Sequence, residues 1–182
     1  MLSRLLPFLL VPALLACSKS DSNPIVDFGE GEGISYRNSQ NLPVGPHDPT
    51  DWTSDADWNK QERNLFPELS FDLNGTQQQG LVSPSSAYPN PAAGGVANWA
   101  LNTVRTGSGS FGSYSVRAVL VNRKYQTRLR LGPSDFTMGT GFTMNYIGAG
   151  LETNELYRLY YVVYNASGLV LKGHGDVRYS PQ

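Results

Sequence analysis

From residue 69 onward the chain alternates apolar and polar positions with the period of two that marks strands. Leu69-Ser-Phe-Asp-Leu73 puts Leu69, Phe71 and Leu73 on one face. Asn74-Gly75, the dipeptide best suited to the positive φ angles of a tight hairpin, predicts a turn into a second strand over 79–83. Further strands are predicted over 96–103, 114–122, 126–131, 141–147, 156–165 and 169–179, separated by Gly-, Ser- and Pro-rich turns. The run 156–164 is apolar on both faces, with Tyr157, Leu159, Tyr161 and Val163 on one and Tyr160, Val162 and Tyr164 on the other, which favours a central strand. A helix beginning near Thr153 competes for this run and loses, because β-branched and Tyr-rich segments prefer strands. Seven or eight short strands at this spacing predict a mainly all-β fold, an antiparallel immunoglobulin-like β-sandwich over 68–182.

The period changes just upstream. Over 55–66, Trp58, Glu62 and Leu65 fall at i, i+4 and i+7, Ser54 and Asp57 are spaced as a capping box, and Pro67 ends the pattern, so a short helix is predicted within 51–67. Trp58 and Leu65 would dock on the body; alternatively Trp52 and Trp58 stand exposed and stack on sugar rings. Between 18 and 50 the composition is Ser, Asn, Asp, Gly and Pro with few apolar residues, which predicts a flexible stalk. Gly29-x-Gly31-x-Gly33 lies in that stretch without a strand before it or a helix after it, and its acidic residues would repel phosphates, so it is not read as a nucleotide fingerprint.

Composition narrows the partners. Lys plus Arg number 14 against 15 Asp plus Glu, a net charge of -1 with the cations scattered, and this argues against nucleic acid. Twenty large rings (3 Trp, 10 Tyr, 7 Phe) with 19 Gly and 12 Pro suit strands and turns. The first residues are of another kind. Arg4 is followed by an apolar run over 5–16 that is too short to span a bilayer, and it reads as a signal peptide over 1–16. The segment ends Leu14-Leu15-Ala16-Cys17, and Cys17 is the sole cysteine of the chain, so no intramolecular disulfide is possible.

Leu14-Leu15-Ala16-Cys17 resembles a bacterial lipobox. That resemblance implies cleavage between Ala16 and Cys17, acylation of Cys17, and a lipidated tether over 17–50. Two or three acyl chains hold a protein on its membrane, since each buried CH2 contributes about 0.8 kcal/mol. Ser18 and Lys19 follow the cysteine where an inner-membrane retention signal would have Asp, so the resemblance implies the outer membrane, its periplasmic or cell-surface face left open. Further on, Tyr88-Pro89-Asn90-Pro91-Ala92 resembles the opening of the β-sandwich sorting domains carried at the C-terminus of type IX secretion cargo in Bacteroidota, and the likeness covers 88–182. The ending Gly173-His-Gly-Asp-Val-Arg-Tyr-Ser-Pro-Gln182 lacks the basic, apolar close of such signals, so the resemblance implies fold and phylum and not sorting. A short helix followed by this sandwich is also similar to small Bacteroidota lipoproteins.

Catalytic patterns are scarce. There are two histidines, His47 and His174, and no HExxH, Cys pair or Gly-x-Ser-x-Gly elbow; Gly107-Ser-Gly-Ser-Phe-Gly112 lacks the helix an elbow requires. His174 and Asp176 share one strand face and can pair, either to orient an imidazole or to cover a sheet edge. Asp72-Leu-Asn74-Gly75 lacks the later bidentate Glu of a calcium loop. No metal, cofactor or catalytic residue is expected. The residues singled out as a candidate binding surface are Trp52, Trp58, Tyr160, Tyr164, His174 and Asp176. Three functions follow: a non-catalytic, lipid-anchored accessory subunit that binds a protein of an outer-membrane or secretion complex; a glycan-binding lipoprotein that stacks sugars on Tyr and Trp; and a hydrolase built on His174 and Asp176.

Overall fold

The computed structural model describes residues 24–29, 33–78, 80–104 and 112–181, so the signal segment, Ala16 and Cys17 lie outside the described residues. Two antiparallel sheets face each other. The larger has the order β1 (Thr53–Ser54), β8 (Gly168–Arg178), β7 (Leu156–Asn165), β4 (Tyr114–Val121), β5 (Thr127–Phe136); the smaller has the order β2 (Val82–Pro84), β3 (Val96–Thr103), β6 (Gly139–Asn145). The single short helix among the described residues, α1, spans Lys60–Arg63. The mainly all-β sandwich read from the alternation is the fold.

The alternation also says which residues meet inside. From β7 and β4 the inner face takes Tyr157, Leu159, Tyr161 and Val163 with Val116, Ala118 and Leu120, and from the small sheet it takes Ala97, Trp99, Leu101 and Met144. Trp99 stacks on Phe142 at 5.6 Å and tilts against Tyr161 at 5.2 Å. β5 runs five residues past its predicted end because a bulge at Gly132-Pro133 interrupts the pattern; Gly132 has φ +82°, and a Cβ there would collide with the Val116 carbonyl. Gly175 answers a similar need, since the Trp52 ring lies where its Cβ would be.

Three expectations are corrected. The segment read as a stalk up to residue 50 is packed from Val26 onward: Val26 and Ile34 are fully buried and Phe28 nearly so, its ring centre 4.8 and 5.2 Å from the Arg123 and Arg158 guanidiniums. A few apolar residues without period suffice because the outer face of the large sheet is itself apolar there. The helix is four residues long, and its cap is Asn59, not Ser54: Asn59 Oδ1 accepts from the Gln61 and Glu62 amides, and Glu62 Oε2 accepts from the Asn59 amide. Residues 69–73 form no strand. Asp72 closes an Asx turn by accepting the Asn74 amide at 2.9 Å, and Val82–Pro84 pairs instead with β3.

The result is three layers. Apart from Trp52, which reaches the inner core, and β1, which joins the sheet edge, the N-terminal layer within 24–75 covers the outer face of the large sheet, where Val26, Phe28, Trp58, Leu65, Phe66 and Leu73 pack on Val119, Val121, Tyr160, Val162 and Leu169. The small sheet lies on the other side.

Candidate functional site

The antiparallel register of β7 and β8 sets Arg158 opposite Asp176, Tyr160 opposite His174 and Val162 opposite Lys172, all on the outer face under the N-terminal layer. Alternation therefore delivers three ionisable side chains of β8 to one row. Each is taken by a different part of the chain.

Asp176 binds Arg158 through two hydrogen bonds of 2.7 Å, from Nε and Nη2. Burial raises the Asp176 carboxyl and the Arg158 guanidinium opposes it. Burial also works against the charge on Arg158, but the Asp176 bonds and charge outweigh it and hold the guanidinium above its usual range. A bidentate pair with a group that does not give up its proton is ionised at neutral pH. The Asp176 amide donates to Asp51 Oδ1 at 2.6 Å, and Asp51 Oδ2 accepts the Ser35 amide at 2.7 Å. Burial pushes the Asp51 carboxyl up to about 7; the Asp176 amide pulls against this, the Asp176 charge adds to it and the Ser35 amide opposes it. Asn90, from the Tyr-Pro-Asn-Pro segment, is 1% exposed and joins the same cluster: Nδ2 donates to the Asp176 carbonyl, Oδ1 accepts the Arg178 amide, and its backbone exchanges two bonds with Arg37.

His174 Nδ1 lies 2.8 and 3.0 Å from the two oxygens of Asp55, which also accepts Trp58 Nε1 at 2.6 Å. Lys172 is fully buried and donates to the Leu73 carbonyl and to Asn74 Oδ1, both at 2.7 Å, with its ammonium 5.5 Å from the Trp58 ring centre. Burial lowers the Lys172 ammonium, and Asp57, Asp55, Asp72 and Glu62 oppose that shift. The ammonium thus meets the loop that the calcium reading had considered. Tyr160 donates to Glu62 at 3.1 Å, and burial raises its phenol.

The six residues singled out from the sequence do not form one exposed surface. Trp58, Tyr160 and Asp176 are buried, with 2, 1 and 2% exposure, while Trp52, Tyr164 and His174 are half-buried. Trp58 is the packing anchor of the N-terminal layer. Its ring stacks on Phe66 at 5.5 Å and meets Tyr160 edge-on at 5.6 Å, and Trp52 packs against the inner core. Coplanar exposed rings, the support the glycan reading required, are not what these residues build. His174 and Asp176 share a face as expected but do not pair with each other; Asp55 and Arg158 take them separately. Thr53, the strand neighbour of His174, commits its hydroxyl to the Thr50 carbonyl. Of the six, Tyr164 lines a cleft of about 450 Å3, with Glu68, Phe71 and Arg117; another of about 430 Å3 lies beside Ile25, Gln61 and Tyr125 and contains none of them.

Sequence reasoning missed Asp51, Asp55, Asn90, Arg158 and Lys172. Arg158 and Lys172 carried a visible signal, a charge set at an alternating position inside an apolar run.

No family model and no curated protein matches the chain. Among solved structures it is similar to the sensor domain of the anti-sigma factor RsgI4 in Pseudobacteroides cellulosolvens, at 11% identity over 56% of this chain and 94% of that one, with a TM-score of 0.35. That score is below the level at which two chains share a fold.

Proposed function

We propose that the chain is a non-catalytic, lipid-anchored envelope protein, held on the outer membrane through Cys17 and acting as an accessory subunit that binds another protein. The observation that supports this reading most is the segregation of charge between its layers. The large sheet and the N-terminal layer carry Arg117, Arg158, Lys172, Asp176, Asp51 and Asp55, while β2, β3 and β6 contain no charged residue at all, in a chain that is 16% charged. Depletion of charge is what distinguishes the centre of a protein interface from ordinary surface. The small sheet turns outward a face of Val96, Asn98, Ala100 and Asn102 beside Gly139, Gly141, Thr143 and Asn145.

The packing of the N-terminal layer adds a geometric argument. Val26, the first buried residue, is nine residues from Cys17, so an acylated Cys17 keeps it within about 32 Å of the lipid. The domain would then ride close to the bilayer with the small sheet on the opposite side of the molecule. The engagement of His174 with Asp55, Asp176 with Arg158 and Lys172 with Leu73 in fastening the layers supports the non-catalytic reading.

Affinity capture of the full chain from its native envelope in mild detergent, with mass spectrometry of what co-elutes, tests the partner. A stoichiometric envelope protein whose recovery falls with Asn98→Lys is the expected outcome, and recovery of the chain alone would overturn it. Radiolabelled palmitate incorporation, lost in Cys17→Ala together with the membrane fraction, tests the anchor.

A further inference from the structure

The free edge of β6 is built differently from the other sheet edges. β5, the outer strand of the large sheet, carries Arg128, Arg130, Pro133 and Asp135 and is bent by a bulge, which are the devices that keep an edge from pairing with another chain. β1 and β2 are two and three residues long, and β2 ends on Pro84. β6 has seven residues, Gly-Thr-Gly-Phe-Thr-Met-Asn, with no charge, no proline and no register shift against β3.

Its hydrogen-bonding parity follows from the register. The Tyr146 amide donates to the Gly95 carbonyl and the Thr103 amide to the Met138 carbonyl, so even-numbered residues of this strand exchange bonds with β3. Gly139, Gly141, Thr143 and Asn145 therefore direct their amides away from β3. All four are exposed, and an exposed glycine is exposed backbone. The Asn145 carbonyl accepts from the Ala149 amide, which closes the row at that end.

Apolar residues cluster at both ends of the same edge. Seven large apolar residues are exposed among the described residues; two of them, Met138 (68%) and Ile147 (61%), stand at the two ends of β6, and two more, Val104 and Val96, stand behind them at the ends of β3. An edge flanked in this way is complementary to itself when turned round.

We propose that β6 pairs with β6 of a second copy of this chain, antiparallel about a two-fold axis through Phe142, joining the two small sheets into one of six strands. Parity admits only registers in which outward-facing residues meet, and of these the one centred on Phe142 engages all four outward-facing residues of β6. In that register Gly141 and Thr143 exchange both bonds, Gly139 meets Asn145 and accepts from its amide while the Asn145 carbonyl stays with Ala149, and Phe142 meets its own copy as a non-hydrogen-bonded pair. Met138 then lies opposite Tyr146 of the second copy, next to Ile147, and the second half of the interface repeats the contact. Phe142 is half-buried against Trp99, so the second Phe142 covers ring surface that one copy leaves open. The glycines remove any steric bar at the edge, and the absence of charge removes like-charge repulsion across the axis, which would be unavoidable for a charged residue meeting itself. This goes beyond the binding of a different protein, which engages the face of the small sheet.

The test uses the full chain in mild detergent. Under gentle oxidation Phe142→Cys is expected to give a covalent dimer, because only a residue on the axis meets itself, while Asn98→Cys, one strand away, is expected to stay monomeric. Sedimentation velocity of the unmodified chain over a hundredfold range of concentration should show a monomer passing to a dimer. Thr143→Pro deletes an amide that points away from β3, so it should abolish the dimer and move the thermal midpoint by no more than a few degrees. A chain that sediments as a monomer throughout and a Phe142→Cys variant that does not cross-link would overturn the proposal. So would a dimer indifferent to Thr143→Pro, or one cross-linked through Asn98→Cys.

Discussion

The two faces of the large sheet are both covered, but by different means. On the inner face Tyr157, Leu159, Tyr161 and Val163 meet Trp99, Leu101 and Met144, and what holds them is interlocking shape among alternating apolar side chains. On the outer face the apolar contacts of Trp58, Phe66 and Leu73 are interleaved with Asp176–Arg158, Asp51, His174–Asp55 and Lys172, each tied by directional bonds to a distant part of the chain. The reason lies in what does the covering. A sheet brings its own register, whereas 24–75 has one two-residue strand and one four-residue helix, and an irregular segment on an apolar face could slide. Polar groups that are costly to bury unpaired allow only one placement.

The largest effect should come from the shape-held side. Trp99→Ala empties space in contact with both sheets and is expected to cost about 3 to 5 kcal/mol, as a single cooperative loss in denaturant unfolding followed by both tryptophan emission and far-UV circular dichroism. Two separated transitions would show that the layers are not one unit.

Asp176→Ala tests the bonded side. It strands the Arg158 guanidinium, 8% exposed, without its carboxylate and is expected to cost about 3 kcal/mol or more. Hydrogen exchange should rise first in 24–58 and only later in β3 and β6. Replacing both partners, Arg158→Met with Asp176→Leu, should recover most of the loss, and failure to do so would mean that the pair contributes more than mutual neutralisation.

These contrasts explain what could be read beforehand. β3 and β7 fall at 96–103 and 156–165, as the alternation predicts, because β7 is paired along its length on both sides and β3 along its length by β6, and each needs apolar residues at regular positions. Nothing periodic marks Val26, Phe28 and Ile34, which are recruited one at a time by a surface formed a hundred residues later. The buried charges left a trace, since Arg158 and Lys172 interrupt apolar runs, but the partners could not be named: Lys172 is satisfied by Leu73 and Asn74, about a hundred residues away. The capping grammar was legible and misplaced by five residues, because Ser54-x-x-Asp57 and Asn59-x-x-Glu62 both satisfy it and only the docking of Glu62 on Tyr160 selects the second.

A smaller effect, with a signature in pH, belongs to Asp51. Its carboxyl keeps its proton up to about pH 7 in the folded protein against an ordinary value of 3.8, so between these limits the folded state binds more protons than the unfolded one, and stability falls as pH rises. Asp51's share of that fall is at most about 4 kcal/mol across the window. Asp51→Asn should flatten the profile between pH 4 and 7. At pH 4 it should cost about 1 to 3 kcal/mol, because the amide set in place of one carboxyl oxygen leaves the Ser35 or Asp176 amide without an acceptor. A profile with unchanged slope would assign the pH dependence to other groups.

The smallest effect separates the helix from the layer it sits in. Asn59→Ala removes the side chain that caps the Gln61 and Glu62 amides and is expected to cost about 1 kcal/mol by thermal unfolding. A four-residue helix has no stability of its own to lose. Its use is to carry Glu62 to the Tyr160 hydroxyl and to follow Trp58 with Phe66, so the added hydrogen exchange should be confined to 60–66 while Trp58 emission stays unchanged. If Asn59→Ala instead releases Trp58 and unfolds 24–75 as a block, the cap is a fastener of the same rank as Asp176, and the outer layer depends on every one of its bonds where the inner core depends on none singly.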